Sequence, residues 1–556
     1  MNFKIKTIFA AGLAVIAASC TDLNVPVESQ YTEYPTSVEA VEAKMANVYY
    51  AMRGCFGRRY MEAMCTSADE HTAITFSGNW VDGYAYINPS LHNYTYEDAS
   101  IDWMGDPGRA IVMANEVIDA DGDEKYVIPA RAMRAFFTFI IMECWGDAPI
   151  TDQKYCTEHN LDIRNRQPRA EVAKYLESEL LAIADKLPDD SLLDDEGNLI
   201  YGKPNKWMAK ALLAKIYLNW AVYTAANVAD YNPSATNEKL AACEAICNEF
   251  IANPDYELGP DPYRFKFSYD NTERAIGGSV KDFIYVMPYE TNEAQGMQWV
   301  RSRAYKDIKN MNPTYFGEKF SQSGGGYLTL IPEVAERFNI PGDERNLMIL
   351  GHNLEGKLTD EGPAYIYDKE TLLPTKEIAK DKNGNDLYLT RTITLTSPNN
   401  EQIDVGDNLN GWRQGYRSVK WFAKASDYNN GRNLSNDIPI FRYADILLTK
   451  AEVLVRQGKG GAKELMNEIR RYVGIQDPYL FTSEPTLEDI YEERGREFFD
   501  EIWRRNDMIR FGHFEDEYGF KRTGFPRANF DPRHRVFPVS KNDLDINNTW
   551  TQNAGY

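Results

Sequence analysis

Apolar residues recur at helical spacing in five successive segments, and this pattern limits the fold more than any other feature of the chain. Each segment is bounded by Pro, Gly, Asn or Asp. The segments span residues 109–119, 129–144, 169–187, 204–226 and 237–252. Apolar residues at three- and four-residue steps indicate a helix that buries one face. Each of these helices needs a partner for its apolar face, so the sequence predicts a mainly α-helical protein.

The segment 204–226 indicates how these helices would pack. Its apolar face consists of Trp207, Leu212, Leu213, Ile216, Tyr217 and Trp220. Small residues that would let a neighbouring helix come close are Ala209, Ala211, Ala214 and Ala221. Helix pairs with alternating alanine and aromatic residues resemble degenerate tetratricopeptide repeats. An irregular helical bundle without true repeats is the alternative.

Helical patterns near both ends of the chain flank regions rich in glycine, proline and asparagine. We expect a helical scaffold from about residues 37–53, 109–252 and 440–512. A loop-rich binding region is expected from about residues 54–108, as loop with short elements, and from about residues 255–439, with short strand-like runs. Because both ends supply helices around the irregular middle, residues 37–556 are predicted to form one interleaved domain.

Some elements are predicted in more detail. A single long helix is expected over 486–511. Strand-like runs occur at 283–287, 364–367 and 387–395. The stretch 381–386 (DKNGND) is typical of a hairpin turn between the last of these runs and its partner. It lacks the glycine at position six and the distal glutamate of a calcium-binding loop, so we expect no metal there.

The N-terminus has the features of a bacterial export signal. Lys4 and Lys6 precede an apolar run over 8–18, and Cys20 follows at once. The sequence before Cys20 resembles the lipobox of bacterial lipoproteins, although Ala17 stands where leucine is usual. We therefore expect a signal peptide at 1–19, lipidation of Cys20 and a lipid-anchored tether at 20–36. A plain signal peptide is the alternative.

Charge and cysteine content limit the possible partners. The net charge is −22, which repels phosphate backbones and argues against nucleic acid as a partner. Six cysteines remain besides Cys20, and the sequence does not decide among their 15 possible pairings. Disulfides are permitted in an exported protein. The helical spacing of Cys243 and Cys247 nevertheless favours buried, unpaired thiols.

Six short motifs occur in order along the chain. They are 134–137 (RAFF), 145–149 (WGDAP), 441–452 (FRYADILLTKAE), 466–470 (MNEIR), 493–512 and 552–556 (QNAGY). As an ordered set they resemble the SusD/RagB family, surface nutrient-binding lipoproteins of Bacteroidota. The chain departs from the family pattern at Ile502, where glycine is common, and at Ala554, where proline is usual.

The resemblance implies a non-catalytic protein on the outer face of the outer membrane. Such a protein binds an oligo- or polysaccharide and delivers it to a SusC-like TonB-dependent transporter. A peptide ligand, as in the RagB branch, and a surface-anchored glycoside hydrolase are the alternatives. The histidines do not form a His-Glu-x-x-His pair, and the chain has no Gly-x-Ser-x-Gly or phosphate-loop motif. We therefore expect no catalytic residue, no cofactor and no metal.

A sugar-binding surface needs exposed aromatic rings for the C–H faces of the sugar and polar groups for its hydroxyls. Aromatic residues among polar loop residues occur at 69–86 and 298–305, and a tyrosine follows Gly324–Gly326. The candidate ligand-binding residues are Trp80, Tyr84, Tyr86, Trp299, Tyr305 and Tyr327. Aromatic core under long loops is the competing interpretation. The glycine run is expected to be a flexible rim loop.

Two charged pairs in the C-terminal motifs have a structural interpretation. Arg494 and Glu497 are three residues apart on one helical face, and Arg442 and Asp445 have the same spacing. Each residue could therefore neutralise the other, or a neighbour, where the face is covered. We expect these residues to stabilise the fold and not to take part in acid–base catalysis.

Overall fold

The computed structural model describes residues 37–556 apart from Asp121 and Asp195. The predicted signal peptide and the tether with Cys20 lie outside these residues. Residues 45–556 form one compact unit, and a separate unit ends at Lys44. Of that separate unit, residues 37–44 are described, and they contribute the beginning of the first helix.

The longer helices are labelled α1 to α10. They are α1 Val38–Tyr49, α2 Gly105–Ile118, α3 Glu124–Trp145, α4 Arg169–Ile183, α5 Lys206–Leu218, α6 Leu240–Ala252, α7 Tyr443–Arg456, α8 Ala462–Tyr472, α9 Leu487–Glu497 and α10 Arg504–Phe511. Several begin at side chains that accept backbone N–H groups. Asn205 accepts from Met208 at the start of α5, and Thr486 and Asp489 form a capping box at the start of α9.

The helices pack in sequence as a stack. α2 packs against α3, α3 against α4, α4 against α5, and α5 against α6. α6 packs against α7 although residues 253–442 separate them in the chain, and α7 contacts both α8 and α9. Each helix thus covers the apolar face of its neighbour, which is the arrangement of helical repeats. The mainly α-helical prediction is confirmed.

Helix α3 lies at the centre of this stack. Every residue from Ala132 to Trp145 is buried, so the helix is covered on all sides and not on a single face. Phe136 packs at 5.7 Å from the ring of Tyr285 and at 6.1 Å from the ring of Phe56. These contacts tie α3 to segments that come from the loop-rich region.

The shorter elements lie mostly in the loop-rich region. Short α-helices span Arg53–Cys55, Met61–Thr66, Ile87–Ser90, Gln153–Glu158, Trp220–Tyr223, Asn271–Ile276, Trp299–Arg303, Pro332–Arg337, Leu409–Trp412, Ala425–Asn429 and Lys541–Ile546. A π-helix spans Phe56–Tyr60. Turns of 3₁₀-helix span Asp82–Tyr84, Ala184–Lys186, Val228–Asp230, Tyr263–Phe267, Ile308–Asn310, Glu344–Met348 and Pro532–Arg535.

The strands of the described chain pair two by two, and all of these pairs are antiparallel. The pairs are His71–Ala73 with Leu328–Leu330, Ala148–Pro149 with Arg166–Gln167, Phe283–Met287 with Ile438–Arg442, Ile349–Leu350 with Arg417–Ser418, Glu361–Pro363 with Tyr388–Thr390, and Tyr365–Tyr367 with Pro374–Ile378. The predicted strand 283–287 is confirmed, whereas 387–395 forms a strand only at 388–390. The turn at 381–386 is present, with the Asp381 amide donating to the Asn385 carbonyl at 2.8 Å.

Two predictions of secondary structure were wrong. Residues 54–66 were expected to be loop, but 53–66 is continuously helical and largely buried. The expected single helix over 486–511 is broken between α9 and α10, where Asp500 has a left-handed φ of 63°. Its carboxylate accepts hydrogen bonds from Trp299, Arg303 and Ser418. Tertiary contacts therefore set this break, and no local glycine or proline marks it.

The charged motif residues are buried and pair across elements. Arg494 donates to Asp507 on α10 at 2.9 Å and to Asp445 on α7 at 2.8 Å. Glu497 accepts from Arg442, at 2.8 Å, and from Arg345, at 3.1 Å. Arg494 therefore does not pair with Glu497, and Arg442 does not pair with Asp445, as their three-residue spacing had suggested. The same side chains instead connect the terminal helices with α7 and with the loop-rich region.

The six described cysteines are all buried and unpaired, in agreement with the preference stated for Cys243 and Cys247. Across residues 37–556, apart from the two undescribed positions, no helix has both the length and the apolar character needed to cross a bilayer.

Candidate functional site

Three of the six candidate aromatic residues lie together. The ring of Tyr327 lies 4.5 Å from the ring of Trp80, nearly parallel to it at 27°. The ring of Tyr86 lies 4.4 Å from Tyr327 on a tilted plane. Trp80 and Tyr86 are partly exposed, whereas Tyr327 is fully buried. Tyr327 thus supports two rings that face solvent from the segment 77–86, which we name the aromatic loop.

The glycine run before Tyr327 makes this support possible. A side chain on Gly325 would come within 2.6 Å of the Tyr327 ring, and one on Gly324 within 2.5 Å of the Tyr305 carbonyl. The Gly325 amide donates to the Arg301 carbonyl at 2.7 Å. All three glycines are buried. The expectation of a flexible rim loop was therefore wrong, because these glycines serve close packing of the backbone.

The backbone of the aromatic loop is held in an unusual conformation. Ser77, Trp80, Asp82 and Tyr84 have positive φ values of 51°, 69°, 41° and 67°. Left-handed backbone is uncommon outside glycine and costs roughly 1 to 3 kcal/mol per residue when strained. Such strain persists only where surrounding contacts impose it, and it concentrates at ligand-binding segments. The loop is therefore shaped by its neighbours.

Those neighbours belong to the segment 401–407. Asp404 accepts the Ser77 amide at 2.6 Å, and Asp407 accepts the Asn79 side-chain amide at 3.2 Å. Glu401 accepts the Tyr84 hydroxyl at 3.0 Å. These three carboxylates hold the loop at both ends. They also offset part of the cost of its backbone conformation, because hydrogen bonds to charged groups are the stronger ones.

A cavity of about 550 Å³ opens beside Tyr86. This volume is typical of small-molecule sites, which measure about 300 to 1,000 Å³. Its lining residues include Gly54, Arg58, Arg59, Glu62, Asp82, Tyr86, Gly296 and Gln298. Arg58 and Arg59 lie on the π-helix, a form of helix that occurs often at functional sites.

A close contact between two backbones fixes one wall of this cavity. A side chain on Gly57 would come within 2.2 Å of the Gly296 carbonyl oxygen. The Gln298 amide donates to the Gly57 carbonyl at 2.9 Å. Glycine at 57 is therefore required for the segment around 296 to pass against the π-helix. This contact explains why the glycine lies inside a helical run.

A buried carboxyl lies beneath the aromatic rings. Glu62 accepts the Tyr327 hydroxyl at 2.8 Å and lies 3.6 Å from the Arg58 guanidinium. Burial raises the pKa of the Glu62 carboxyl, and Arg58 opposes that rise. An Arg58 N–H also donates to the Tyr86 hydroxyl at 3.4 Å. Arg58 thus connects the carboxyl with the exposed ring of Tyr86.

Two candidates lie in the core and not at this surface. The Trp299 side chain is fully buried, and its indole N–H donates to Asp500 at 3.0 Å. Tyr305 is only 1% exposed. Neither ring has a face on which a sugar could stack, so the assignment of both to the ligand surface is corrected. Trp299 begins the helix Trp299–Arg303, whose Trp299 and Val300 side chains are buried, and Tyr305 follows that helix.

The remaining candidate, Tyr84, is partly exposed on the aromatic loop. Its ring lies 4.0 Å below the Arg527 guanidinium. The sequence interpretation missed the partly exposed Trp412, whose indole N–H donates to Asp407 at 2.7 Å beside Asn79. It follows an Asn-Leu-Asn-Gly stretch, the same combination of polar loop residues and tryptophan that indicated Trp80.

Comparison with known proteins identifies the family. The sequence model of the SusD family matches residues 296–556. The starch-binding protein SusD of Bacteroides thetaiotaomicron is 24% identical over 448 residues, covering 77% of this chain and 72% of SusD. A SusD-like protein of Formosa agariphila is 24% identical over 91% of this chain and 85% of its own length. Residues 296–556 belong to the SusD/RagB family.

Solved structures have the same fold. One is a surface glycan-binding protein A from Bacteroides thetaiotaomicron, solved with laminarihexaose. Its TM-score is 0.63 at 18% sequence identity, and the alignment covers 93% of this chain and 100% of the solved chain. A laminarin-binding SusD-like protein has a TM-score of 0.64 at 19% identity, covering 93% of this chain and 99% of its own. At such identities the similarity establishes the helical-repeat fold of this SusD/RagB protein.

Proposed function

We propose that this SusD/RagB protein binds an oligo- or polysaccharide at the aromatic loop and does not cleave it. The observation that carries the proposal is the support of the solvent-facing Trp80 and Tyr86 rings by the buried Tyr327. Flat aromatic faces pack against the C–H faces of sugars. The starch-binding and laminarin-binding relatives support a glycan as the ligand.

The site includes more than the two rings. Tyr84 belongs to the same loop, and Trp412 lies next to it, since Asn79 and Trp412 both donate to Asp407. The Gln298 side chain and the charged groups of the cavity supply partners for hydroxyl groups. Incubation of the protein with a polysaccharide panel tests the proposal. Retention on a glycan without new reducing ends supports binding, and release of reducing ends would indicate an enzyme.

Replacing Trp80 with alanine should weaken glycan binding by about tenfold to a hundredfold, because one stacked aromatic contact is lost. Affinity electrophoresis measures the effect. The melting temperature should change little, because the side chain is partly exposed. Trp550→Ala is the matched control, since Trp550 is partly exposed and donates to the Arg164 carbonyl, away from the aromatic loop. Unchanged affinity in Trp80→Ala would refute this placement of the site.

The protein is proposed to act at the cell surface, where it delivers its glycan to a SusC-like TonB-dependent transporter. Residues 1–19 then act as the signal peptide and 20–36 as the tether. Lipid on Cys20 holds the protein on the outer membrane, because more than one acyl chain gives stable anchoring. The family membership and the sequence around Cys20 support this part of the proposal.

Mass spectrometry of the mature protein tests the anchor. We expect an N-terminal cysteine at position 20 that carries a diacylglyceryl group and an N-acyl chain. The Cys20→Ser variant should appear in the soluble fraction, whereas Cys55→Ser, a buried cysteine elsewhere, should stay with the membrane. An unmodified Cys20 in the mature protein would exclude the anchor.

A further inference from the structure

Each partly exposed ring of the aromatic loop has a guanidinium group against it. The Arg301 guanidinium lies 6.0 Å from the centre of the Trp80 ring, and that of Arg527 lies 4.0 Å from the centre of the Tyr84 ring. Arg58 donates to the Tyr86 hydroxyl at 3.4 Å. Three positively charged side chains thus surround one loop, although the chain as a whole has a net charge of −22.

The three arginines differ in how far their N–H groups are used by other residues. Arg301 is partly buried, yet its side chain makes no ion pair or hydrogen bond with any residue of the described chain. Arg58 is already paired with Glu62, whose carboxylate lies 3.6 Å from the Arg58 Nε, and Arg527 donates to the Asn88 side-chain oxygen at 2.5 Å. A guanidinium without an acceptor is suited to a ligand that brings one, so Arg301 is the arginine of the three that fits this role.

The carboxylates around the site are mostly occupied. Glu62 accepts from Tyr327, and Glu401 accepts from Tyr84. Asp407 accepts from Lys306, Asn79 and Trp412. Asp82, which is exposed on the cavity wall, is the remaining acid. Of the charged groups named here, the Arg301 guanidinium is therefore the donor group that has no acceptor.

We propose that the ligand is an anionic glycan, with Arg301 bound to a carboxylate or sulfate group while Trp80 stacks on the sugar. This inference rests on the proposed function. A guanidinium presents a planar pair of N–H donors that matches two oxygens of a carboxylate or sulfate. At 6.0 Å from the centre of the Trp80 ring, the guanidinium is within reach of an anionic substituent on a sugar bound to that ring.

Affinity electrophoresis with matched glycans tests the inference. Polygalacturonate supplies uronate, carrageenan supplies sulfate ester, and agarose is a neutral galactan for comparison with carrageenan. We expect at least one anionic glycan to bind about tenfold more tightly than agarose, since hydrogen bonds to charged groups are the strong ones. Its affinity should fall when salt rises from about 0.1 M to about 0.5 M. Binding of polygalacturonate would identify the anionic group as a uronate, and binding of carrageenan would identify it as a sulfate ester.

The Arg301→Gln variant assigns the effect to one residue. It should lose about tenfold in affinity for the anionic glycan and most of the salt dependence, with an unchanged melting temperature. Arg471→Gln, an exposed arginine on α8, is the matched control and should bind as the wild type does. An anionic glycan bound equally by Arg301→Gln would overturn the role of Arg301.

The outcomes separate this inference from the proposed function. Equal binding of agarose and the anionic glycans, lost in Trp80→Ala and kept in Arg301→Gln, would overturn the inference and leave glycan binding intact. Failure of the protein to bind every glycan of the panel would count against both. Tight, salt-sensitive binding of one anionic glycan, lost in both variants, is the expected result.

Discussion

Replacing Arg494 with leucine should lower the free energy of unfolding by about 3 to 5 kcal/mol, the usual cost of removing one partner from a buried ion pair. Arg494 is fully buried and donates to both Asp507 and Asp445. Its removal leaves two buried carboxylates with fewer partners. Lys215 still lies against Asp445, and Arg510 still donates to Asp507 at 2.7 Å, so the protein should fold.

Urea denaturation measures this effect, and affinity electrophoresis on a bound glycan measures function in parallel. Arg471→Leu makes the same substitution at an exposed position of α8 and should change stability by less than about 0.5 kcal/mol. Glycan affinity should be kept in both variants at a temperature where they are folded. Loss of glycan binding in Arg494→Leu without loss of stability would place Arg494 in the binding site and contradict a structural role.

The Arg494 contacts show what the sequence could and could not predict. The three-residue spacing to Glu497 indicated a charged residue that needs neutralising, and this is correct. The actual partners lie on α7 and α10, and a spacing rule within one helix does not reach them. Periodicity is a local signal, so it predicted the helices between 105 and 252 well. It could not predict which helix supplies the opposite charge.

The break between α9 and α10 and the helical run over 53–66 were missed for a related reason. The left-handed Asp500 is held by hydrogen bonds from distant residues, and the sequence around it has no local signal of a break. Gly57 resembled a loop residue, but it is a helical residue that allows close backbone contact with Gly296. In both cases tertiary contacts overrode the local preference.

Prediction of the candidate site was partly successful. The combination of aromatic and polar loop residues indicated Trp80, Tyr84 and Tyr86, which lie partly exposed on one loop. The same combination at Trp299 and Tyr305 marks core residues. Composition describes which side chains a segment contains, and it does not determine which of them face the core. That distinction depends on packing partners from other parts of the chain.

A last prediction concerns pH and the buried Glu70 beside the break at Asp500. One Glu70 oxygen accepts the Asp500 amide at 3.2 Å, and the other has no hydrogen-bond partner. Burial, with the neighbouring Asp69 charge, raises the pKa of the Glu70 carboxyl to about 8. Arg504, Arg337 and Lys420 oppose this rise without cancelling it.

The direction of the pH effect on stability depends on whether the folded or the unfolded state holds the Glu70 proton more tightly. Unfolded chains lose the Glu70 proton near the ordinary pKa of glutamate, about 4.3, whereas the folded protein keeps it up to about 8. Between these values the folded state binds more protons, so the contribution of Glu70 to stability falls as pH rises. The total loss is on the order of 5 kcal/mol by pH 8, at about 1.4 kcal/mol for each unit of pKa.

The Glu70→Gln variant should remove this dependence, because glutamine keeps the acceptor for the Asp500 amide and carries no charge. We expect the variant to be more stable than the wild type at pH 8, with the difference shrinking towards pH 5. Melting temperatures across this range measure it, and the exposed Glu377→Gln is the matched control. The carboxylates whose pKa is held low by ion pairing in spite of their burial, such as Glu452 at about 2 beside Arg510 and Arg456, titrate below this window. A stability difference that stays constant from pH 5 to pH 8 would show that Glu70 acts through packing alone.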